Sequence, residues 1–105
     1  ARSQSDDDMN RVEDFDTGES QFNVFPNPFV ETFEINLYVK ESDEYFINLY
    51  SAQGRLVKTI YAGYIKKNEH FSLEIPSITL ENGLYILRGS NSSGNFQESV
   101  RLIKQ

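Results

Sequence analysis

The sequence of 105 residues contains no cysteine, no tryptophan, one histidine and only three prolines. Without cysteine there is no disulfide framework and no thiolate ligand for zinc. His70 stands alone, so neither a set of imidazole ligands nor a nucleophile with an oriented general base is visible. The acidic run 14–18 lacks the glutamate that a calcium loop requires at its last position, where Phe25 stands. We therefore expect no catalytic residue, no cofactor and no metal site.

Long apolar runs and basic patches are also missing. No stretch approaches the roughly 20 apolar residues of a membrane helix, and the first residues do not have the pattern of a signal peptide. The net charge is −6, and residues 22–105 carry nine acids and eight bases, which leaves −1. Such a surface does not attract a phosphate backbone. We expect no nucleic-acid partner and no direct membrane span, and we expect any export signal to lie upstream of Ala1 in a longer protein.

The first 21 residues differ in composition from the rest of the chain. They hold seven acids and two bases, a charge of −5, and few large apolar residues. High charge with few core-forming side chains is typical of a disordered segment. We predict a flexible acidic linker over residues 1–21 and one folded domain over residues 22–105.

From Thr32 onwards the apolar residues alternate with polar ones, as in half-buried strands. The pattern is clearest in residues 32–40, with one face made by Phe33, Ile35, Leu37 and Val39. Further strands are predicted over 45–50, 55–62, 71–76, 84–88 and 96–103, and residues 84–88 are apolar enough to be central. Two facings compete in 55–62, and a bulge could serve both. With a short strand before Pro26, this predicts an all-β, Ig-like antiparallel sandwich of about seven strands.

The residues that punctuate these strands form an ordered set. They are Pro26, Asn27 and Pro28 after the first strand, Gly54 and Gly83 in turns, Tyr85, Gly94 in a hairpin, and Lys104. Two prolines exclude a helix or a central strand, and glycine permits the positive φ that tight turns need. Tyr85 is expected in the core with its hydroxyl on a backbone partner.

Taken in order, this set resembles the type A C-terminal sorting domain of the type IX (Por) secretion system, over residues 22–105. Phe25 and the turn residues Ser51 and Gln53 depart from a common tyrosine and aspartate of that family. The resemblance implies a non-catalytic signal domain of an exported protein. An outer-membrane translocon would recognise this domain, and an upstream cargo domain would cross the periplasm to the cell surface or the medium.

The resemblance also implies that a sortase-like peptidase removes the domain by cutting in the linker, for which Gly18, Glu19, Ser20 and Gln21 are the candidates. The end of the last strand, Val100–Lys104, is the expected recognition surface, because an open edge can pair with a partner's sheet. The same edge could form a homodimer.

Two other functions fit the same fold. A carbohydrate-binding module would use exposed aromatic residues, for which Tyr38, Phe46 and Tyr50 are candidates. An Ig-like adhesion or spacer module of a surface protein would remain attached to its neighbours. Lys104 is either a solvated lysine or part of the signal.

Overall fold

The computed structural model describes residues 20–77 and 79–105, and within them every regular element is a β-strand. The turns and the alternation seen in the sequence correspond to seven strands. They are β1 (Gln21–Phe25), β2 (Thr32–Tyr38), β3 (Asp43–Ser51), β4 (Leu56–Ile65), β5 (His70–Pro76), β6 (Gly83–Asn91) and β7 (Gln97–Lys104).

The strands form two antiparallel sheets. One sheet has three strands in the order β1-β2-β5, and the other has four in the order β4-β3-β6-β7. Strand β6 lies between β3 and β7, which confirms that residues 84–88 belong to a central strand. The prediction of an Ig-like antiparallel sandwich of about seven strands is confirmed.

The hydrophobic core fills the space between the two sheets. Strand β2 contributes the four alternating residues expected from the sequence, all of them buried: Phe33, Ile35, Leu37 and, just beyond the strand, Val39. From the other sheet, strand β3 contributes the buried residues Tyr45, Ile47 and Leu49. Strands β6 and β7 add Leu87 and Leu102. Alternation at period 2 therefore fixes the inner face of both sheets.

Strand β4 is longer and less regular than its sequence indicates. Its pairing with β3 shifts register between Ile47 and Asn48 and again between Leu49 and Tyr50, so the predicted bulge is confirmed. The strand also continues to Ile65, three residues past the predicted end. As an edge strand it leaves Leu56 52% exposed and Tyr64 62% exposed, which explains why neither apolar alternation dominated its sequence.

The turn between β6 and β7 is organised around Asn91, which is buried. Its side-chain oxygen accepts hydrogen bonds from the backbone N–H groups of Gly94 and Phe96, both at 3.1 Å. Its amide nitrogen donates to Asn95 at 2.8 Å. The Asn91-Ser92-Ser93 sequence, which has the form of a glycosylation sequon, is therefore used to build this turn.

The same end of the domain carries a carboxylate that links two turns. Asp43 accepts hydrogen bonds from the backbone N–H groups of Ser93, at 3.0 Å, and Glu44, at 2.7 Å. The bonds from Ser93 hold the pKa of Asp43 below its ordinary value of 3.8. A carboxyl group with a depressed pKa stabilises the fold while it is ionised.

We expect this contribution to be present above pH 3.8 and to be lost as the pH falls through the lower pKa of the folded protein. Urea unfolding at neutral and at strongly acidic pH, for the parent protein and for Asp43→Asn, measures it. The variant should lose less stability on acidification than the parent. An equal loss in both proteins would show that Asp43 has no such role.

Candidate functional site

The first strand and the residue before it are both held against the sandwich. Gln21 pairs with Tyr38 in the ladder between β1 and β2, and the Ser20 hydroxyl accepts a hydrogen bond from the backbone N–H of Lys40 at 3.1 Å. Of the four candidate cleavage residues, Ser20 and Gln21 thus contact the sandwich. Gly18 and Glu19, like the rest of residues 1–19, lie outside the described residues.

The Pro26-Asn27-Pro28 segment carries the chain from one sheet to the other. Before it, β1 belongs to the three-stranded sheet; after it, Phe29 forms a parallel bridge with Lys104 on β7 of the four-stranded sheet. Both proline peptide bonds are cis. Because proline supplies no backbone donor and fixes φ, this segment can turn sharply at a sheet edge without interrupting a ladder.

Asn27 and Phe29 together cover the outer edge of β7. The Asn27 side chain donates to the carbonyl of Arg101 at 2.6 Å and accepts from the N–H of Ile103 at 3.0 Å. The Phe29 backbone donates to the carbonyl of Ile103 at 2.9 Å and accepts from the N–H of Gln105 at 2.8 Å. Four outward backbone groups over residues 101–105 are therefore paired within the domain.

This pairing corrects one expectation from the sequence. The end of the last strand was predicted to present an open edge over Val100–Lys104 for a partner's sheet or for a second copy. That prediction is wrong for residues 101–104, because the segment 27–29 occupies the outward backbone groups of Arg101 and Ile103. The sequence could not indicate this, since the contacting residues are more than 70 positions apart.

Lys104, Gly83 and Tyr85 lie next to this covered edge. Lys104 pairs with Gly83 across β6 and β7, and its ammonium group donates to the Asn82 side-chain oxygen at 3.3 Å. Tyr85 is buried, and its hydroxyl donates to the carbonyl of Glu81 at 2.6 Å, as the sequence analysis expected. Lys104 thus has a defined position in the fold.

The other two glycines of the ordered set lie in hairpin turns. Gly54, with φ of 87°, closes the turn between β3 and β4, and Gly94, with φ of 84°, lies in the turn between β6 and β7. The register of β3 with β6 pairs Ser51 with Tyr85 and Tyr45 with Asn91. Gly54 therefore lies at the same end of the sheet as Tyr85, whereas Gly94 lies at the opposite end. The residues of the ordered set therefore do not form one continuous surface.

A surface does form where the proline segment meets β7, and we call it the latch surface: Val30, Leu80 and Lys104. Val30 is 59% exposed. Val30, Leu80 and Lys104 also line a groove of about 540 Å³ together with Pro76. Ser77 also lines this groove. Its hydroxyl donates to the carbonyls of Val30 and Glu31, both at 2.8 Å, and so fixes the segment that leads from the prolines into β2. Of this surface, the sequence assigned a recognition role only to Lys104.

The aromatic platform predicted for a carbohydrate-binding module is not formed. Tyr38 lies on β2 of the three-stranded sheet, whereas Phe46 and Tyr50 lie on β3 of the other sheet. All three point outward in the alternation of their strands, so they face opposite sides of the sandwich. The prediction that these three residues form one row is therefore wrong.

Within residues 20–77 and 79–105, no group of three or more histidine, aspartate or glutamate side chains could hold a metal ion. In the same part of the chain, no helix is long and apolar enough to cross a membrane.

Comparison with known families decides the class of this domain. The model of a family described as "Secretion system C-terminal sorting domain" matches residues 23–105, most of the chain. The chain belongs to this family. It is thus a C-terminal sorting domain of the type IX secretion system, as the sequence resemblance indicated. No curated protein of similar sequence was found.

Among solved structures, the sorting domain is similar to the crystal structure of dimeric latent PorU from Porphyromonas gingivalis. The TM-score is 0.65 with 19% sequence identity, and the alignment covers 90% of this chain and 10% of that one. At this identity the likeness shows the shared fold. The chain spans about a tenth of the length of that protein.

Membership in the family supports a coarse description of the domain's role. Sorting domains of this family are generally non-catalytic, and they interact with the type IX secretion machinery and with the cargo to which they are attached. They belong to proteins that are secreted or carried at the cell surface.

Proposed function

We propose that residues 20–105 form a non-catalytic signal that the outer-membrane translocon of the type IX system recognises on an attached upstream cargo. The cargo passes from the periplasm to the cell surface or the medium, and a sortase-like peptidase then separates the domain from it. The observation that carries this proposal is the family match over residues 23–105. The domain itself carries out no reaction.

The latch surface is our candidate for the contact with the translocon. It combines the exposed side chain of Val30 and the partly buried side chain of Leu80 with Lys104, and it lies where the proline segment and the last strand meet. Exposed apolar groups on a small domain often mark interaction sites. Because the backbone edge beside them is already paired, side chains rather than main-chain strand addition would provide the recognition.

We place the scissile bond before Ser20. A peptidase needs its substrate extended in a cleft, and a residue held in a β ladder is not available for this. Gln21 pairs with Tyr38 in the β ladder, and Ser20 accepts a hydrogen bond from the backbone of Lys40. Cleavage at either residue would therefore require β1 to leave the sheet. Mass analysis of the released domain should give a first residue at or before Ser20; a first residue inside β1 would contradict this placement.

A secretion assay tests the main proposal. A reporter with a periplasmic export signal is fused to residues 1–105 and expressed in a host that has the translocon. We expect the fused reporter outside the cells and the unfused reporter in the periplasm. If the fused reporter also stays in the periplasm, the domain is not a sorting signal, and a retained spacer or adhesion module becomes the better description.

The latch surface is tested in the same assay with a pair of matched substitutions. Val30→Glu places a charge on the latch surface, and Leu56→Glu places one on β4, where exposure is similar at 52% against 59%. We expect Val30→Glu to reduce secretion at least tenfold and Leu56→Glu to leave it near the parent level. Circular dichroism checks that both variants fold. Equal secretion by both folded variants would move the recognition site elsewhere.

A further inference from the structure

The outer face of the three-stranded sheet carries an unusual set of side chains, which we call the amide face: Gln21, Asn23, Asn36, Tyr38, His70 and Ser72. The registers of β1, β2 and β5 arrange them in two rows. Gln21, Tyr38 and His70 form one row, and Asn23, Asn36 and Ser72 form the next. Their partners in the alternation, such as Leu37, point into the core. All six residues therefore face the same side of the sheet.

The amide face lines a groove of about 540 Å³, within the size range of ligand sites. Its two rings are already paired: the centroids of Tyr38 and His70 lie 4.7 Å apart with the planes inclined by 37°. The Tyr38 hydroxyl donates to the side chain of Asn68 at 3.1 Å, which fixes the orientation of that ring. In the second row, the Ser72 hydroxyl donates to the side-chain oxygen of Asn36.

The groups on this face match the two sides of a sugar. Planar amides, a hydroxyl and an imidazole supply both donors and acceptors for sugar hydroxyl groups. The Tyr38–His70 pair supplies an aromatic surface for the apolar face of a sugar ring. Adjacent rows and strands give the face dimensions of roughly 7 by 10 Å. In another small β domain, the OB-fold, a sheet face and the adjoining loops bind oligosaccharides.

The charges beside the amide face argue against a polyanion as its ligand. None of the six residues is an arginine or a lysine, and the next row along the strands places Glu34 directly opposite Glu74. Binding of single-stranded nucleic acid requires a positively charged groove as well as aromatic stacking. Lys40, whose ammonium group lies 5.8 Å from the centroid of the Tyr38 ring, is the cation nearest to this stack among the described ring contacts.

We infer that the amide face is a binding site for a neutral saccharide chain. This is a property separate from sorting, and it lies on the sheet that does not carry β7. It also differs from the platform predicted from the sequence, since Tyr38 is joined by His70 and by amides rather than by Phe46 and Tyr50.

The test is a titration of the isotope-labelled 105-residue chain with cellohexaose, mannohexaose and chitohexaose, followed by NMR of the backbone and side-chain amides. We expect at least one of these probes, at millimolar concentration, to shift the signals of the amide face and to leave those of β4 and β7 unchanged. His70→Ala and Asn23→Ala, both at exposed positions, should each weaken binding of that probe at least threefold. Tyr38→Ala should weaken it at least tenfold.

Tyr64→Ala serves as the matched control, because it removes an exposed tyrosine from the other sheet. It should bind the probe as the parent does. The inference is overturned if none of the three oligosaccharides shifts the amide face, if the three face variants bind like the control, or if dextran sulfate binds this face more tightly than the neutral probes. Secretion of a fused reporter plays no part in this readout, so the result is independent of the proposed sorting function.

Discussion

Replacing Phe29 with alanine is expected to lower the free energy of unfolding by about 3–5 kcal/mol, the usual cost of deleting a buried phenylalanine side chain. Phe29 is fully buried, and its ring centroid lies 4.8 Å from that of Phe33, another buried residue of the core. A domain of this size has a total stability of about 5–15 kcal/mol, so the loss is a large share of it. Urea unfolding followed by tyrosine fluorescence or circular dichroism measures the change.

Phe25→Ala is the control for this substitution, because it removes the same side chain from the other flank of the same three residues. Phe25 is 46% exposed and belongs to the outer face of β1. We expect it to cost no more than about 1 kcal/mol, as is usual for exposed positions. Equal losses from the two substitutions would mean that Phe29 does not fill the core in the way described.

The contrast between these two residues shows how far the sequence could predict the fold. Alternation identified the buried side of β2 and β3, because a strand with one face in the core repeats its pattern every second residue. Phe25 and Phe29 stand on either side of the prolines, where the chain leaves one sheet for the other and no periodicity continues. Their different burial depends on that crossing, which is a property of the assembled sandwich.

The candidate site was less predictable than the fold for the same reason. Turn glycines such as Gly54 could be identified, because a positive φ in a tight turn is a local requirement. Asn27 could be named only as part of a motif. Its partners, Arg101 and Ile103, are separated from it by 74 and 76 residues. No local pattern indicates which distant strand an asparagine side chain will meet.

These contacts give the proline motif a structural role. Pro26, Asn27 and Pro28 bring the chain to the edge of β7 and close it. The motif would then contribute to sorting mainly by holding the latch surface in shape, and the translocon would read the exposed side chains around it. An unpaired strand edge invites aggregation, so closing it also protects the domain against association with other strands.

The paired hydrogen bonds of Asn27 lead to the second prediction. Asn27→Ala removes a donor to Arg101 and an acceptor for Ile103, and we expect a loss of about 1–2 kcal/mol, since each exposed hydrogen bond contributes on the order of 1 kcal/mol. Amide hydrogen exchange should show a second effect at one atom. The N–H of Ile103 loses its acceptor and should exchange faster, whereas the N–H of Leu102, on the opposite side of the strand, should keep most of its protection.

Asn27→Asp distinguishes this bidentate contact from a simple preference for a turn. Asparagine and aspartate both suit turns, so a turn role predicts little change. In the structure, however, one side-chain atom of Asn27 must donate to the carbonyl of Arg101, and a carboxylate oxygen placed there would face another acceptor. We therefore expect Asn27→Asp at neutral pH to be at least as destabilising as Asn27→Ala, while Asn23→Ala on the exposed side of β1 changes stability by less than about 0.5 kcal/mol. An Asn27→Asp protein as stable as the parent would show that the side chain does not close the edge of β7, and that the proline motif acts through its backbone alone.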